Sequence, residues 1–490
     1  MTKNLTGKCK ALCLCLLLFI SSGLYAQVVT TDYKNIALSA FLDSLTSKSS
    51  INIAYDVNAI PVDSVMDVHY HQVHPLEIVK DVLKNSQVEV MFLNNQIIIS
   101  ESISPIKQKQ VIKLSGHVID SDEGTPLPLV NVSIKHQSLG TITNSEGAFD
   151  FKIPAIYKDS MLIFSFLGYH TESILIPKTD SIVVVELETS TVKLDEVEVA
   201  YQNPEAIIDH LRDNHRQNYW NKQALLSGFF RESIRQDGEY VQVSEAIVEI
   251  IKPSYSKPSD MERVKFIKGR KKNDLQTMDL VDFKLEGGPF QFSRVDIARY
   301  HDFFPNENSP YKYAYDGLDI LNEQIVYKVR FRPYEDNGAL LYSGVLYVHA
   351  QSYALLRAEF ELTKKALRKS GRSLIRKASR KLKVKPLQAK YYVDYRFYGG
   401  RWILNRVDGE IVIHINDKRN KVDSEFSAVT ELLISDWEMN KKAKLKSSEV
   451  FKSRYILADQ IDESDDEFWE GYNIIRPDEE LEKVFKKKVP

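Results

Sequence analysis

The blocks Leu114-Ser115-Gly116-His117-Val118-Ile119-Asp120, Pro126-Leu127-Pro128-Leu129-Val130-Asn131-Val132, Gly140-Thr141-Ile142-Thr143-Asn144-Ser145-Glu146-Gly147-Ala148-Phe149 and Phe164-Ser165-Phe166-Leu167-Gly168-Tyr169 follow one another between Ile112 and about Glu188. Apolar residues alternate with polar ones inside each block. Turn formers punctuate the intervals: Gly124, Pro126 and Pro128, then Gly140, Asn144 and Gly147, then Pro154 and Gly168. Short alternating strands between such turns predict an all-β sandwich.

These four blocks in this order resemble the carboxypeptidase-regulatory-like domain, a prealbumin-like β-sandwich that accompanies other domains. The resemblance implies a fold and not a peptidase activity. The following segment, Lys193-Leu194-Asp195-Glu196-Val197-Glu198-Val199-Ala200, resembles the stretch that joins such sandwiches to TonB-dependent receptor barrels and pairs with TonB. An edge strand or plain linker explains the same residues.

Upstream, the pattern changes. Leu38, Phe41, Leu42 and Leu45 recur at helical spacing and Ile51 to Tyr55 alternates as a strand. A strand near Val65 to Tyr70, a helix through Leu76 to Leu83 and strands near Val88 to Phe92 and Gln96 to Ser100 repeat the theme, which predicts one small α+β domain over 27–101. Ala40-Phe41-Leu42 ahead of Asn52-Ile53-Ala54-Tyr55, and Pro75-Leu76-Glu77-Ile78-Val79-Lys80-Asp81-Val82-Leu83 ahead of Val88-Glu89-Val90, resemble the short N-terminal domain of secretins and TonB-dependent receptors. That resemblance implies a protein partner in the periplasm.

Downstream, Pro204 to Trp220 predicts a helix with Ile207, Ile208 and Leu211 on one face. Ile325 to Arg332, Tyr342 to His349, Leu355 to Leu362, Lys390 to Tyr398 and Ile411 to Ile415 then read as successive antiparallel strands of one sheet. Leu341-Tyr342-Ser343-Gly344-Val345-Leu346-Tyr347-Val348 followed by Ala354-Leu355-Leu356-Arg357-Ala358-Glu359-Phe360 is similar in rhythm to the half-barrels of periplasmic lipoprotein carriers. This similarity implies a curved sheet able to hold an acyl chain or an apolar partner surface. The predicted fold class is therefore multidomain and predominantly β: a small α+β domain (27–101), a linker (102–111), a β-sandwich (112–190), a linker (191–203), and a β-rich α+β domain (204–490), half-barrel in form, with a basic insertion at 364–390.

Lys3, Lys8 and Lys10, the apolar run Ala11 to Ile20 and the small-residue approach to Ala26 predict a secretory signal peptide over 1–26. Cys9, Cys13 and Cys15, all the cysteines of the 490 residues, fall inside it. A mature chain without thiols excludes disulfides, Cys-bound zinc and a thiolate nucleophile. Leu precedes both Cys13 and Cys15, where lipidation needs a small-residue box. No later run reaches the ~18 apolar residues of a membrane helix. The formal charge of −2, less the three leader lysines, becomes about −5, too slight an imbalance to imply nucleic acid. The protein is expected in the periplasm, peripheral to the outer membrane.

Few constellations offer chemistry. His69 and His71 share a strand face, and His74 and Glu77 share a helical turn, so imidazole and carboxylate ligands are available to a metal; the same residues also read as polar surface and helix-start positions, and no metal or other cofactor is expected. A Gly-x-Ser-x-Gly elbow and a P-loop are both missing from the sequence. The segment Lys364 to Lys390 carries twelve basic residues and no acidic one. It predicts a helix to about Leu382, with Arg372, Arg376, Lys377, Arg380 and Lys381 as candidate contacts for an anionic lipid or glycolipid. Two other readings are a solvated insertion and pairing with the acidic block Asp459 to Glu470. Aromatic residues beside that block, Phe468, Trp469 and Tyr472, read as a recognition strip or as a tail docked on the last sheet. The function expected is a non-catalytic binding or structural protein with an envelope protein partner; the alternative is an envelope hydrolase with its site in residues 201–490.

Overall fold

The computed structural model describes residues 28–490 apart from 56–59, 61, 63, 85–87, 94–95, 102–110, 191–202, 258, 274–286, 301–308, 338, 340, 371–382, 418–421, 442, 462–468, 470 and 487–490. Contacts divide the chain into two units, 1–110 and 111–490.

In the first unit β1 (Val29–Ala37) leads into α1 (Leu38–Ser49), β2 (Asn52–Tyr55), β3 (Val65–Val73), α2 (Pro75–Val82), β4 (Val88–Leu93) and β5 (Gln96–Glu101). β1 pairs antiparallel with β3, while β2 runs parallel to β5, which is antiparallel to β4. The strand β1 was not anticipated from sequence; Lys34-Asn35, where the β1–β3 register shifts and Asn35 adopts φ 57°, interrupt its alternation. Leu38, Phe41, Leu42 and Leu45 from α1 meet Ile78 and Val79 from α2 in one core, so both helices bury the stripe their spacing provides.

The second unit opens with the sandwich: β6 (Val111–Asp120), β7 (Asn131–Ile134), β8 (Gly140–Ile142), β9 (Ala148–Pro154), β10 (Met161–Ser165), β11 (Glu172–Leu175) and β12 (Ser181–Leu187). One sheet has the order β11-β10-β7-β8 and the other β12-β6-β9. Leu114, Val118, Val132, Phe149, Phe151, Phe164 and Val185 interdigitate between them. Gly147 supplies φ 67° in the turn before β9, where an added Cβ would lie 2.5 Å from the Val118 carbonyl. Asn144 Oδ1 closes that turn by accepting from the Ala148 amide at 2.8 Å.

After α3 (Pro204–Asp213) and α4 (His215–Asn218), ten strands form one antiparallel sheet. They are β13 (Ala224–Gln236), β14 (Glu239–Lys252), β15 (Arg263–Asn273), β16 (Tyr311–Leu321), β17 (Gln324–Pro333), β18 (Tyr342–His349), β19 (Leu355–Leu362), β20 (Lys383–Tyr398), β21 (Arg401–Asp417) and β22 (Val422–Met439). Their order is β15-β14-β13-β22-β21-β20-β19-β18-β17-β16. Between them lie α5 (Gly288–Ser293) and α6 (Lys364–Ser370), and α7 (Glu479–Lys486) ends the chain. The inner face, with Phe230, Leu346, Ala358, Val393, Val407 and Leu432, packs on α3, α5 and the segment 451–461 in one apolar cluster. Among the described residues no helix is long and apolar enough to cross a membrane.

The opposite face of β13, β14 and β22 receives the sandwich. Ile142 of β8 packs with Phe229, Ile247 and Leu433 beneath Trp469 and Ile475. The tail then runs along the sandwich: Asn473 accepts from the Lys152 amide at 2.7 Å and donates to its carbonyl at 3.2 Å. Asn144 donates to the Pro477 carbonyl at 3.2 Å. Trp469 is thus a docked anchor, its ring edge-on to Phe229 at 6.1 Å.

One inner-face residue breaks the pattern. Glu232 lies directly across from Ser244 and Thr430, is fully buried, and neither of its carboxyl oxygens has a hydrogen-bond partner among the described residues. Burial pushes its pKa up to about 8. The folded state therefore holds a proton that the unfolded chain releases near its ordinary value of 4.5. Stability from this group is fully present below that value and falls as pH rises toward about 8, by about 1.4 kcal/mol per unit. Glu232→Gln is expected to remove this contribution between pH 5 and 8, read as a urea midpoint that no longer falls with rising pH over that interval. Trp469→Ala is expected to destabilise the 111–490 unit by about 3–5 kcal/mol in urea titration, whereas Tyr334→Ala, at an exposed site, changes it by less than about 0.5 kcal/mol.

Candidate functional site

The candidate metal ligands do not converge. His69 pairs with Asp32 at 2.6 Å, His71 lies 3.5 Å from the Thr30 hydroxyl, and Glu77 turns to Lys80 at 3.3 Å. His74 caps α2, its Nδ1 accepting from the Leu76 amide at 3.2 Å, with its ring edge-on to Phe92. Among the described residues no three acidic or His side chains group closely enough to hold a metal. The predicted basic helix is described only as α6, after which 371–382, with Arg372, Arg376, Lys377, Arg380 and Lys381, lie outside the described residues. The TonB-like segment 193–200 and most of the acidic block lie outside them too.

Two ionic clusters were invisible in the sequence, because their members are far apart along the chain. On the inner face Lys252 contacts Asp296 at 2.7 Å and Glu262 at 2.9 Å, and Arg299 contacts Glu262 at 3.1 Å. Tyr395 donates to Asp296 at 2.8 Å and accepts from the Ala298 amide at 2.9 Å. Burial alone would lower the Lys252 pKa; Asp296 and then Glu262 more than offset it, so the net shift is upward. All four charged side chains are almost wholly buried and balanced in sign. This cluster fixes the segment after α5 to the sheet.

On the outer face Arg231 binds Glu245 at 2.7 Å, Glu431 at 3.2 Å and the Ile475 carbonyl at 2.6 Å. Arg270 binds the other oxygen of Glu245 at 2.6 Å. Arg406 pairs with Asp408. Burial pushes the Glu431 pKa up despite Arg231.

Two concavities stand out among the described residues. The first is a trough of about 1230 Å³ crossing the outer face from β16 to β21. Its floor is the aligned row Tyr313, Phe331, Gly344, Phe360, Tyr391 and Gly409, and outward side chains one residue to either side form two rails. At the β16–β17 end the rails carry Lys312, Arg330 and Arg332; at the β19–β21 end they carry Glu359, Glu361, Asp408 and Glu410 around Lys390. The second is a cleft of about 820 Å³ between the sandwich strands β7, β10 and β11 and the hairpin tips of β16–β17 and β20–β21. Its residues are mostly serine, threonine, asparagine and glutamine with aromatic rings, none forming a motif that sequence spacing could reveal.

No curated protein matches this chain. Among solved structures, an outer membrane lipoprotein-sorting type domain from Vibrio parahaemolyticus is similar over 49% of this chain and 95% of its own, at 12% identity and TM-score 0.25. A protein of the LolA superfamily from Nitrosomonas europaea is similar over 51% of this chain and 98% of its own, at 13% identity and TM-score 0.22. Likenesses at this level assign no ligand to this chain. Residues 114–199 match the model of the CarboxypepD_reg-like domain, which supports the reading of this sandwich as regulatory-like.

Proposed function

We propose that this protein is a non-catalytic binding protein of the cell envelope, exported to the periplasm and peripheral to the outer membrane, that holds an extended segment of a protein partner in the trough across β16–β21. The observation that carries this reading is the polarity of the rails, basic at one end and acidic at the other. Six strands at about 4.8 Å spacing make the trough about 24 Å long, the reach of about seven extended residues. An acyl chain would meet charged rails along that length, at a desolvation cost with nothing to offset it. A peptide with acidic side chains toward β16–β17 and basic ones toward β19–β21 meets complementary charge instead. The carboxylates on the rails stand on two strands, β19 and β21, with β20 between them, and the two ionic clusters are built into the fold; this supports binding over the hydrolase alternative.

The regulatory-like sandwich and the N-terminal unit with its secretin-like order of elements fit the same reading as interaction modules. The basic insertion adds a membrane contact to the proposal. Its described flanks expose Lys364, Lys365, Arg368 and Lys369 on α6 and Lys383 and Lys385 on β20, while Ala366 and Leu367 hold α6 to the sheet.

Wild-type protein is expected to retain a reproducible partner from solubilised envelopes, and Glu361→Lys with Glu410→Lys is expected to lose it; retention of the same partner by the double variant overturns the trough reading. Neutralising Arg372, Arg376, Lys377, Arg380 and Lys381 is expected to weaken cosedimentation with anionic vesicles by tenfold or more without lowering the melting temperature, at about 1 kcal/mol per basic residue near the surface. Equal, negligible binding of the wild type to anionic and neutral vesicles removes the membrane contact.

A further inference from the structure

The sheets of the larger unit end on β8 and β11, on β9 and β12, and on β15 and β16. An edge strand offers unpaired N–H and C=O groups to any other chain, so proteins cover or blunt such edges. β9 is held by the tail, whose Asn473 takes both the amide and the carbonyl of Lys152. β8 is seated on the large sheet, with Ile142 against Phe229 and Leu433. β15 carries Lys265, Lys268 and Arg270 among other basic residues and is bridged at Lys265 by Val450. β16 is bent by a register shift between Tyr315 and Leu318 and carries Lys312, Asp316 and Asp319. β11 is four residues long and begins at Glu172.

Among the described residues β12 has no such device. Its seven residues, Ser181 to Leu187, pair with β6 one for one without a shift, so its free edge is straight. Ile182, Val183, Val184 and Val185 are β-branched in succession, and Glu186 is the one charge of the strand. Val185 and Leu187 enter the sandwich core, while Ile182 is 82% and Val184 64% exposed on the opposite face. A straight, nearly uncharged, β-branched edge is the pattern that accepts a further strand.

We propose that this protein forms a two-fold dimer in which β12 pairs antiparallel with β12 of a second copy. An axis through Val184, the midpoint of the strand, gives all seven residues a partner. Val184 then faces its own copy, Val183 faces Val185, Ile182 faces Glu186 and Ser181 faces Leu187. The two Glu186 carboxylates are four residues apart along the pair, about 14 Å, which exceeds a Debye length of about 8 Å. Centring on Val183 instead sets Glu186 directly across from Asp180, a like-charge pair that opposes association. Centring on Val185 leaves Ser181 and Ile182 without partners on the strand.

Closure favours a second copy over a foreign strand. The two three-stranded sheets become one of six, and both of its outer edges are β9, already covered by the tail at Lys152. The contact is isologous, uses up the bare edge of each copy and leaves nothing that extends into a filament. A foreign strand covers β12 but brings a new free edge of its own. Seven paired residues make about seven interstrand hydrogen bonds, within the roughly five to fifteen of a specific interface. Neither the trough nor α6 takes part, so this contact is independent of the partner and membrane contacts proposed above.

Cys9, Cys13 and Cys15 all precede Gln27, so in the full chain from Gln27 a single introduced thiol reports on one contact. Sedimentation velocity over a wide range of concentration is expected to show a monomer–dimer equilibrium. Ile182→Lys with Val184→Lys, which gives the edge charges like those of β15, is expected to weaken the dimer tenfold or more at unchanged melting temperature. Residues directly opposite across an antiparallel pair are close enough for a disulfide. Under mild oxidation Val184→Cys is therefore expected to cross-link at least tenfold faster than Leu175→Cys, a similarly exposed site on β11. A wild type that is monomeric at every concentration overturns the proposal, whether or not a foreign chain covers β12. A dimer that survives the double substitution overturns it too, as do equal rates of cross-linking at the two thiols. Should the lysine pair lower the melting temperature, the cross-linking rates decide alone.

Discussion

The guanidinium of Arg231 holds four parts of the larger unit together. It is nearly buried, sits on β13, reaches Glu245 on β14 and Glu431 on β22, and donates to the Ile475 carbonyl of the tail. Within the sheet it offsets carboxylates that could not be ionised there unpaired. Outside it, the same group fixes the tail that Asn473 and Asn144 fasten to the sandwich. Removing one partner of such a buried set costs about 3–5 kcal/mol, because the remaining charges are left uncompensated. The seat of the sandwich follows from this contact, and with it both walls of the cleft.

Glu232 sits one residue along β13 and points the other way. Alternation along a strand puts neighbours on opposite faces, so Arg231 meets the docked sandwich and Glu232 the filled interior. Both are buried; they differ in what stands opposite. Arg231 has two carboxylates and its pKa rises, whereas Glu232 has Ser244 and Thr430 and stays protonated until about pH 8. Lys252, on the same inner face, shows that burial there is compatible with charge when Asp296 and Glu262 stand within 3 Å. Partnership and not depth decides which groups of this sheet are ionised.

This also explains which parts of the fold were legible in sequence. Strands with one dry and one wetter face, such as Val329 to Arg332 and Ile411 to Ile415, keep enough alternation to be recognised, and the sandwich declares itself through turns such as Asn144 to Gly147. Ala224 to Gln236 and Glu239 to Lys252 are buried on both faces, and the polar residues in their middles belong to ionic clusters. Their periodicity is therefore erased where the structure is most ordered. At His74 an imidazole near a helix start is a residue type that serves as ligand or as helix-start residue; its bond to the Leu76 amide makes it a cap. The trough residues had no such signal, since Arg332, Glu361 and Glu410 come from three separate strands and belong to types found on any surface.

Packing also dictates where a ligand is met. Along the inner face α3, α5 and the segment 451–461 fill the space against Phe230, Val407 and Leu432, so an apolar cargo there would have to displace the core itself, at several kcal/mol for each large side chain exposed. The outer face is covered by the sandwich and tail over β13, β14 and β22 and by the sandwich again at the β16–β17 and β20–β21 tips; between these it is open across β16 to β21. The trough lies on the open part and the cleft where the sandwich meets the tips. Each is bounded by elements whose positions are fixed elsewhere, the trough by strand register and the cleft by Asn131, Asn405 and Arg396. A binding surface such as the trough gains specificity from walls that do not move, and the sheet supplies those walls because its charged groups are used internally to hold its own strands, tail and sandwich in one arrangement.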